Sequence, residues 1–239
     1  MADVSSGPGA LAGGQGDDAD AGSAPRAARE ATTTPGSQTG GGVGWTPADP
    51  GPLGLAAFAL TTFLLSAANA EIFGQSEKTV PLVLSVAFAY GGLAQLLAGM
   101  WEFRTGNTFG AVAFTSYGAF WLSFFALGQF GYLAELGKVG KSTEGHALGL
   151  YLIAWGIFTG YMFVASLRTT GAIALVFLLL TATFLVLGFG NYGAHTNVVK
   201  FGGYLGIATA LAAWYASFAG VANSTFGKVL LPVVPLKRD

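Results

Sequence analysis

Residues 90–121 read YGGLAQLLAGMWEFRTGNTFGAVAFTSYGAFW. Both ends of the stretch are apolar, and the polar middle runs only from Glu102 to Thr108. That is too short for a domain and the right length for a turn between two long helices. The first half carries Gly91, Gly92, Ala94, Ala98 and Gly99, small residues of the kind that let helices approach closely inside a bilayer. The second half opens on Gly106, Asn107 and Thr108, a signature for a capped helix start. It then places Thr115, Ser116 and Tyr117 at membrane depth, where polar groups need partners or a wet path. The stretch reads as a membrane helical hairpin, and it predicts an all-α membrane protein.

Working outward, 52% of the 239 residues are hydrophobic and only 10% are charged, against about 25% charged in an average soluble domain. No charge falls in the middle of a long apolar run, so the low figure reflects membrane spans. There is no Cys, which excludes disulfides and thiolate metal sites. The net charge of −1 offers no basic footprint for nucleic acid. Residues 1–50 are Gly, Ala, Ser, Thr, Pro and Asp with almost no large apolar side chain. Such a segment cannot bury enough surface to offset its ordering entropy, so it is expected to be a disordered tail. It lacks the basic start and apolar core of a signal peptide.

Six apolar segments follow, at roughly 52–70, 80–101, 109–130, 147–167, 171–190 and 200–221. Each is near the ~20 residues that cross a hydrocarbon core, which makes 51–223 a six-helix transmembrane unit and 224–239 a short C-terminal tail. Pro52 falls in the first turn of the first helix, where a missing N–H costs little. At helical spacing, Phe58, Thr62, Ser66 and Asn69 share one side of that helix. Small residues line three others: Ala87, Gly91, Ala94 and Ala98; Gly149, Ile153, Gly156 and Gly160; Gly202, Gly206, Ala210, Ala213 and Ser217. The small faces are read as helix contacts. Thr62 and Ser66 fit two readings equally, a hydroxyl bonded back to its own helix or a pore lining, and Asn69 is either pore lining or a helix end. An even number of spans puts both ends of the chain on one side, and the Lys and Arg count of the loops favours the cytoplasm.

No catalytic constellation is visible. His146 and His195 lie at segment edges without the partners that a metal would need, so no metal, cofactor or enzyme activity is expected. No Asp or Glu lies mid-span, and Glu102, next to the turn, is read as an interfacial structural group rather than a coupling group. What is left is a neutral, hydroxyl-bearing, aromatic-lined bundle, suited to a small solute with one polar and one apolar end. A carboxylic acid that titrates near the usual carboxylate value of about 4.3 is mostly anion at neutral pH. Taking that anion into a dry bore costs several kcal/mol. Hydroxyl or amide donors, a helix N-terminus such as that at Gly106–Phe109, or protonation of the solute would lower the cost.

Between residues 90 and 118 the chain resembles the acetate uptake transporter family, whose bacterial members include the succinate–acetate permeases. The residues that carry the likeness are Tyr90-Gly91-Gly92, Ala94-Gln95, Ala98-Gly99, Glu102, Gly106-Asn107-Thr108-Phe109-Gly110 and Ala113-Phe114-Thr115-Ser116-Tyr117-Gly118. The likeness extends over Pro50–Pro232, ending in a Phe226-Gly227-Lys228…Leu231-Pro232 segment expected to be extended and either to pack at the inner face or to cap a neighbour. It implies six-helix protomers assembled as hexamers, each with its own pore. It also implies a narrow point made by Phe58, Tyr117 and Leu180, with the small Ala213 close by. Thr62, Ser66, Asn69 and Thr115 are further candidates for the pore lining, and the Tyr117 hydroxyl is expected to donate to a carboxylate. One position departs from the pattern: Asp49 stands where the family has Asn. It would repel an anion at the mouth or cap the first helix.

The resulting expectation is a multi-pass plasma-membrane permease or channel, of bacterial inner-membrane style. Its solutes would be acetate and related short carboxylates, succinate among them, moved together with a proton. The alternatives are a channel for another small polar solute, such as ammonia, urea or an amide, and a membrane sensor or scaffold that transports nothing. The expected partners are the carboxylate, the bilayer and further copies of the chain, with no nucleic acid.

Overall fold

The computed structural model describes residues 45, 47–74 and 80–236. The expected tail therefore lies almost wholly outside the described residues, as do Glu77, Lys78, Lys237 and Arg238. The described chain is helical: α1 Gly51–Asn69, α2 Val80–Phe88, a π-helical turn Ala89–Ala94, α3 Gln95–Thr105, α4 Thr108–Gln129, α5 Tyr132–Val139, α6 Lys141–Ser166, α7 Gly171–Tyr192 and α8 Thr196–Phe226. Six of these helices are long and apolar enough to cross a membrane, the second span being Pro81–Thr105. The protein is a six-span, all-α membrane protein.

Capping explains several of the boundaries. α3 stops at Gly106, whose φ of 80° suits a residue without a Cβ. One residue later the Asn107 side chain accepts a hydrogen bond from Gly110 N at 3.1 Å and starts α4. Thr170 starts α7 in the same way, accepting from Ile173 N at 3.3 Å. Pro52 sits in the first turn of α1, and Asp49 Oδ1 accepts from Gly51 N at 2.8 Å, so the carboxylate serves that helix start. Two boundaries differ from the hydropathy reading. The fourth span begins at Lys141, not 147, and the segment before it is the short helix α5. Helices continue into the interface wherever their own hydrogen bonds persist, whereas an apolar window ends with the hydrocarbon. α8 likewise runs on to Phe226.

The spans form a closed ring. α1 packs on α8, α8 on α7 and α7 on α6; α6 meets α4, α4 packs on α3, and α3 returns to α1. Small residues make the tightest of these contacts. A Cβ at Gly203 would lie 2.5 Å from Ala70 N and 2.7 Å from Ser66 O, so α8 and α1 touch backbone to backbone. Gly149 of α6 sits against Tyr192 and Gly188 of α7, and Gly99 of α3 against the Thr115 backbone of α4. The large apolar side chains point the other way: Leu97, Ile157 and Phe218 are each more than half exposed on the outside of the ring, where lipid replaces water. After α8 the chain turns at Gly227 (φ 64°) and lies extended across the start of α7. Gly171 N donates to Val234 O at 2.7 Å and Leu236 N to Thr169 O at 2.9 Å, so the expected extended closing segment packs on a neighbouring helix.

Candidate functional site

Four cavities succeed one another through the ring. The first, about 300 Å³, opens at the end that holds the start of α1, the α3–α4 turn and the Thr169–Thr170 loop, and reaches inward to Leu55, Ala113, Phe114 and Phe177. Those four side chains also wall the second cavity, about 20 Å³, together with Phe58, Tyr117, Leu180, Val176 and Gln95. Phe58 and Leu180 then reappear in the wall of the third, about 30 Å³, with Thr62, Ser66, Trp121 and Thr183. One helical turn further on, Asn69, Leu148, Gly190 and Asn191 line the fourth, about 370 Å³, at the opposite end. Two wide mouths are thus joined by two narrow cavities, and Phe58 and Leu180 stand between the narrow ones.

The ring at the narrow point is built by three helices. Phe58 of α1 and Tyr117 of α4 lie with ring centroids 5.8 Å apart, and both belong with Leu180 of α7 and Ala213 of α8 to one buried apolar cluster. The structure therefore brings Phe58, Tyr117 and Leu180 to one cavity, with Ala213 in the same buried cluster. Ala213 is fully buried there and does not reach the cavity walls described above. Thr62 and Ser66 line the third cavity and Asn69 the far mouth. Thr115 is placed elsewhere: its side chain and backbone press on Gly99 in the α3–α4 contact, because it follows Phe114 around the helix away from the bore.

The hydroxyl of Tyr117 does not serve as expected. It donates to Thr159 Oγ1 at 3.0 Å, and Thr159 in turn donates to Trp155 O at 2.7 Å. The ring of Tyr117 faces the path while its O–H is tied to α6, so its part in the constriction is apolar. Thr62 resolves the other way. Thr61, Thr183 and Thr209 bond back to the carbonyls of Ala57, Leu179 and Leu205, but Thr62 Oγ1 is buried without a partner among the described residues.

Gln95, which sequence reasoning passed over as a site residue, is 1% exposed, lines the second cavity, and has an Oε1 without a partner among the described residues. It follows directly on the π turn. Each residue of an α-helix turns the chain by about 100°, so one residue inserted by a π-bulge re-aims everything after it. The turn is held by close fits at Gly91 against Thr61 and at Gly92 against Leu122. The signal in the sequence was a lone amide inside a span just after Tyr-Gly-Gly.

The first mouth is acidic. Glu102 is 2% exposed, accepts from Thr105 Oγ1 at 3.1 Å and packs on Gly110 at the start of α4, where the helix dipole favours an anion. A Cβ at Gly51 would lie 3.0 Å from Asp49 Oδ1 and 3.5 Å from Glu102 Oε1, so the two carboxyl groups border the same spot. The opposite mouth mixes charges, with Glu71, Lys141 and Glu144 in its wall and Lys200 paired to Glu71 at 2.7 Å.

The chain is similar to proteins of known kind over this whole region. A family model described as the GPR1/FUN34/yaaH family matches residues 44–238. The chain is 44% identical over 198 residues to acetate permease A of Emericella nidulans, covering 78% of this chain and 65% of that one. It therefore spans about two thirds of the length of that fungal relative. It is 37% identical over 188 residues to the succinate-acetate/proton symporter SatP of Escherichia coli K12, covering 78% of this chain and 95% of that one. A solved structure described as the bacterial acetate channel SatP superposes with a TM-score of 0.68 at 36% identity, covering 78% of this chain and 99% of that one. The protein is a multi-pass membrane protein that belongs to the GPR1/FUN34/yaaH family.

Proposed function

We propose that this chain is a permease or channel for acetate and related short carboxylates, succinate among them, and not an enzyme. The observation that carries the reading is the apolar ring of Phe58, Tyr117 and Leu180, set in the run of cavities between two polar mouths. A ring of that kind suits the methyl end of a two-carbon acid better than a fully polar solute such as urea. The relatives named for acetate support the same substrate class.

Energetics favour passage of the acid with its proton. Protonating a carboxylate of pKa about 4.3 at pH 7 costs about 3.7 kcal/mol, from 2.7 units at 1.36 kcal/mol each. Carrying the bare anion into a dry bore costs several kcal/mol, and the narrow cavities hold no cation in their walls. We place the protein in the plasma membrane with both ends cytoplasmic, on the Lys and Arg distribution, and read the family resemblance as favouring a hexamer.

The test is uptake of labelled acetate into proteoliposomes after subtraction of empty vesicles. Protein-dependent uptake that short carboxylates inhibit and ammonium or urea do not is expected. Uptake equal to that of empty vesicles would favour a sensor or scaffold, and inhibition by ammonium or urea alone would favour the other solutes.

A further inference from the structure

Gln95 offers a hydrogen-bond acceptor to a cavity that supplies no donor. Its side chain is buried, its Oε1 is unpartnered among the described residues, and the other side chains around it in the second cavity are Leu, Phe, Ala and Val apart from Tyr117. The Tyr117 O–H is already given to Thr159. A buried acceptor without a donor is costly, and residues kept so inside a membrane mark solute pathways. The π turn that aims Gln95 and the glycines that hold that turn show a placement imposed on the helix, since an unbroken α-helix is the cheaper backbone.

Resting on the permease reading, we infer that Gln95 selects the undissociated acid: its Oε1 accepts the acid's O–H while its Nε2–H donates to the same acid's carbonyl. A carboxylate has oxygens and no proton, so it cannot satisfy Oε1 and sets lone pairs against it. A neutral carboxylic acid presents one donor beside one acceptor, the complement of a primary amide. The amide therefore acts as a specificity-determining group for protonation state. The proton crosses the narrow point on the substrate, which explains how proton-linked flux works in a path with no mid-span carboxyl group. No bond is made or broken at Gln95; the acid gains its proton from water at one mouth and returns it at the other.

The experiment uses the full chain in proteoliposomes with labelled acetate between pH 6 and 8, empty vesicles subtracted, and a membrane potential set by potassium and valinomycin. Uptake at fixed total acetate is expected to fall about tenfold per pH unit, as the undissociated fraction does, and to ignore the imposed potential. Gln95→Met keeps the length and flexibility of the side chain and removes both polar groups. It is expected to lower uptake about five- to a hundredfold, the effect of two neutral hydrogen bonds, with thermal stability preserved or raised. Gln95→Glu matches the acid only while the new carboxyl is protonated, so its uptake relative to wild type is expected to fall as pH rises. Potential-driven uptake in the wild type would overturn the inference and leave the permease reading standing, because it would mean the anion crosses. Wild-type uptake in Gln95→Met would overturn it also, with Gln95 then a structural group or the seat of a water. Absence of any protein-dependent uptake would overturn the permease reading and this inference together.

Discussion

Gly203→Ala adds one methyl group where α8 and α1 meet backbone to backbone. The new Cβ would fall 2.5 Å from Ala70 N, 2.7 Å from Ser66 O and 2.9 Å from Asn69 C. All three are backbone atoms, so no side chain can swing aside. Ordinary contact begins near 3.5 Å, and α1 and α8 must part by about 1 Å to reach it, which forfeits about a quarter to a half of the attraction at each atom pair along the seam. Overpacking of this kind costs about 1–3 kcal/mol, and a clash on backbone belongs at the upper end. Ala gains about 1 kcal/mol over Gly in a helix, leaving a net loss of about 2 kcal/mol. Gly160→Ala is the matched control: its Cβ would meet only Thr181 Cγ2, at 3.8 Å, so it keeps the helix gain of about 1 kcal/mol. The two variants should differ by about 3 kcal/mol, or about 6–12 °C in Tm for a chain of this size. Thermal unfolding in detergent, followed by tryptophan fluorescence, reads the difference. Equal Tm values for the two variants would refute the reasoning, since the same substitution would then be indifferent to the packing that separates them.

Tyr117→Phe removes a hydrogen bond to Thr159 and leaves the apolar ring in place. It should cost about 1 kcal/mol of stability and leave the ratio of lactate to acetate uptake unchanged, which uptake assays on the purified variant check. Asp49→Asn removes one of two carboxyl groups at the first mouth. Charge repulsion at a mouth acts on the anion and not on the undissociated acid that crosses, so acetate uptake should stay unchanged at low and high salt alike; a rise at low salt that added salt removes would show that the anion enters the path.

How much of this was legible in the chain depends on the kind of signal. The six spans came from runs of apolar residues, and the α3–α4 turn from Gly106-Asn107, because a positive φ and a side-chain cap each demand particular residues. The small faces at Gly91, Gly156 and Gly206 read directly as helix contacts. The short helix α5 was not visible, since eight half-polar residues at the interface carry no apolar period long enough to see. The convergence of Phe58, Tyr117 and Leu180 came from family resemblance; nothing in their spacing places three helices around one point. Two points that the chain alone could not decide share a cause. Whether a hydroxyl is free, as on Thr62, or taken, as on Tyr117, depends on which neighbour stands across the contact, and Thr159 lies 42 residues from Tyr117. Gln95 was hidden by the π turn, since a face drawn at regular helical spacing carries Ala87, Gly91, Ala94 and Ala98 past the inserted residue without showing where the amide points.

If solutes are sorted at the narrow point, Leu180 is the side chain whose trimming shows it. It is buried between the two small cavities and borders both. Trimming it to Ala widens the ring on one side without touching a hydrogen bond. A pocket that discriminates by about one methylene is worth about 1–3 kcal/mol, so the effect should be a change of ratio. The measurement is the lactate-to-acetate uptake ratio in proteoliposomes for the wild type and Leu180→Ala. Acetate uptake is expected to stay within about an order of magnitude while the ratio rises about tenfold. An unchanged ratio in folded protein would contradict this, and would place the selecting point elsewhere in the bundle.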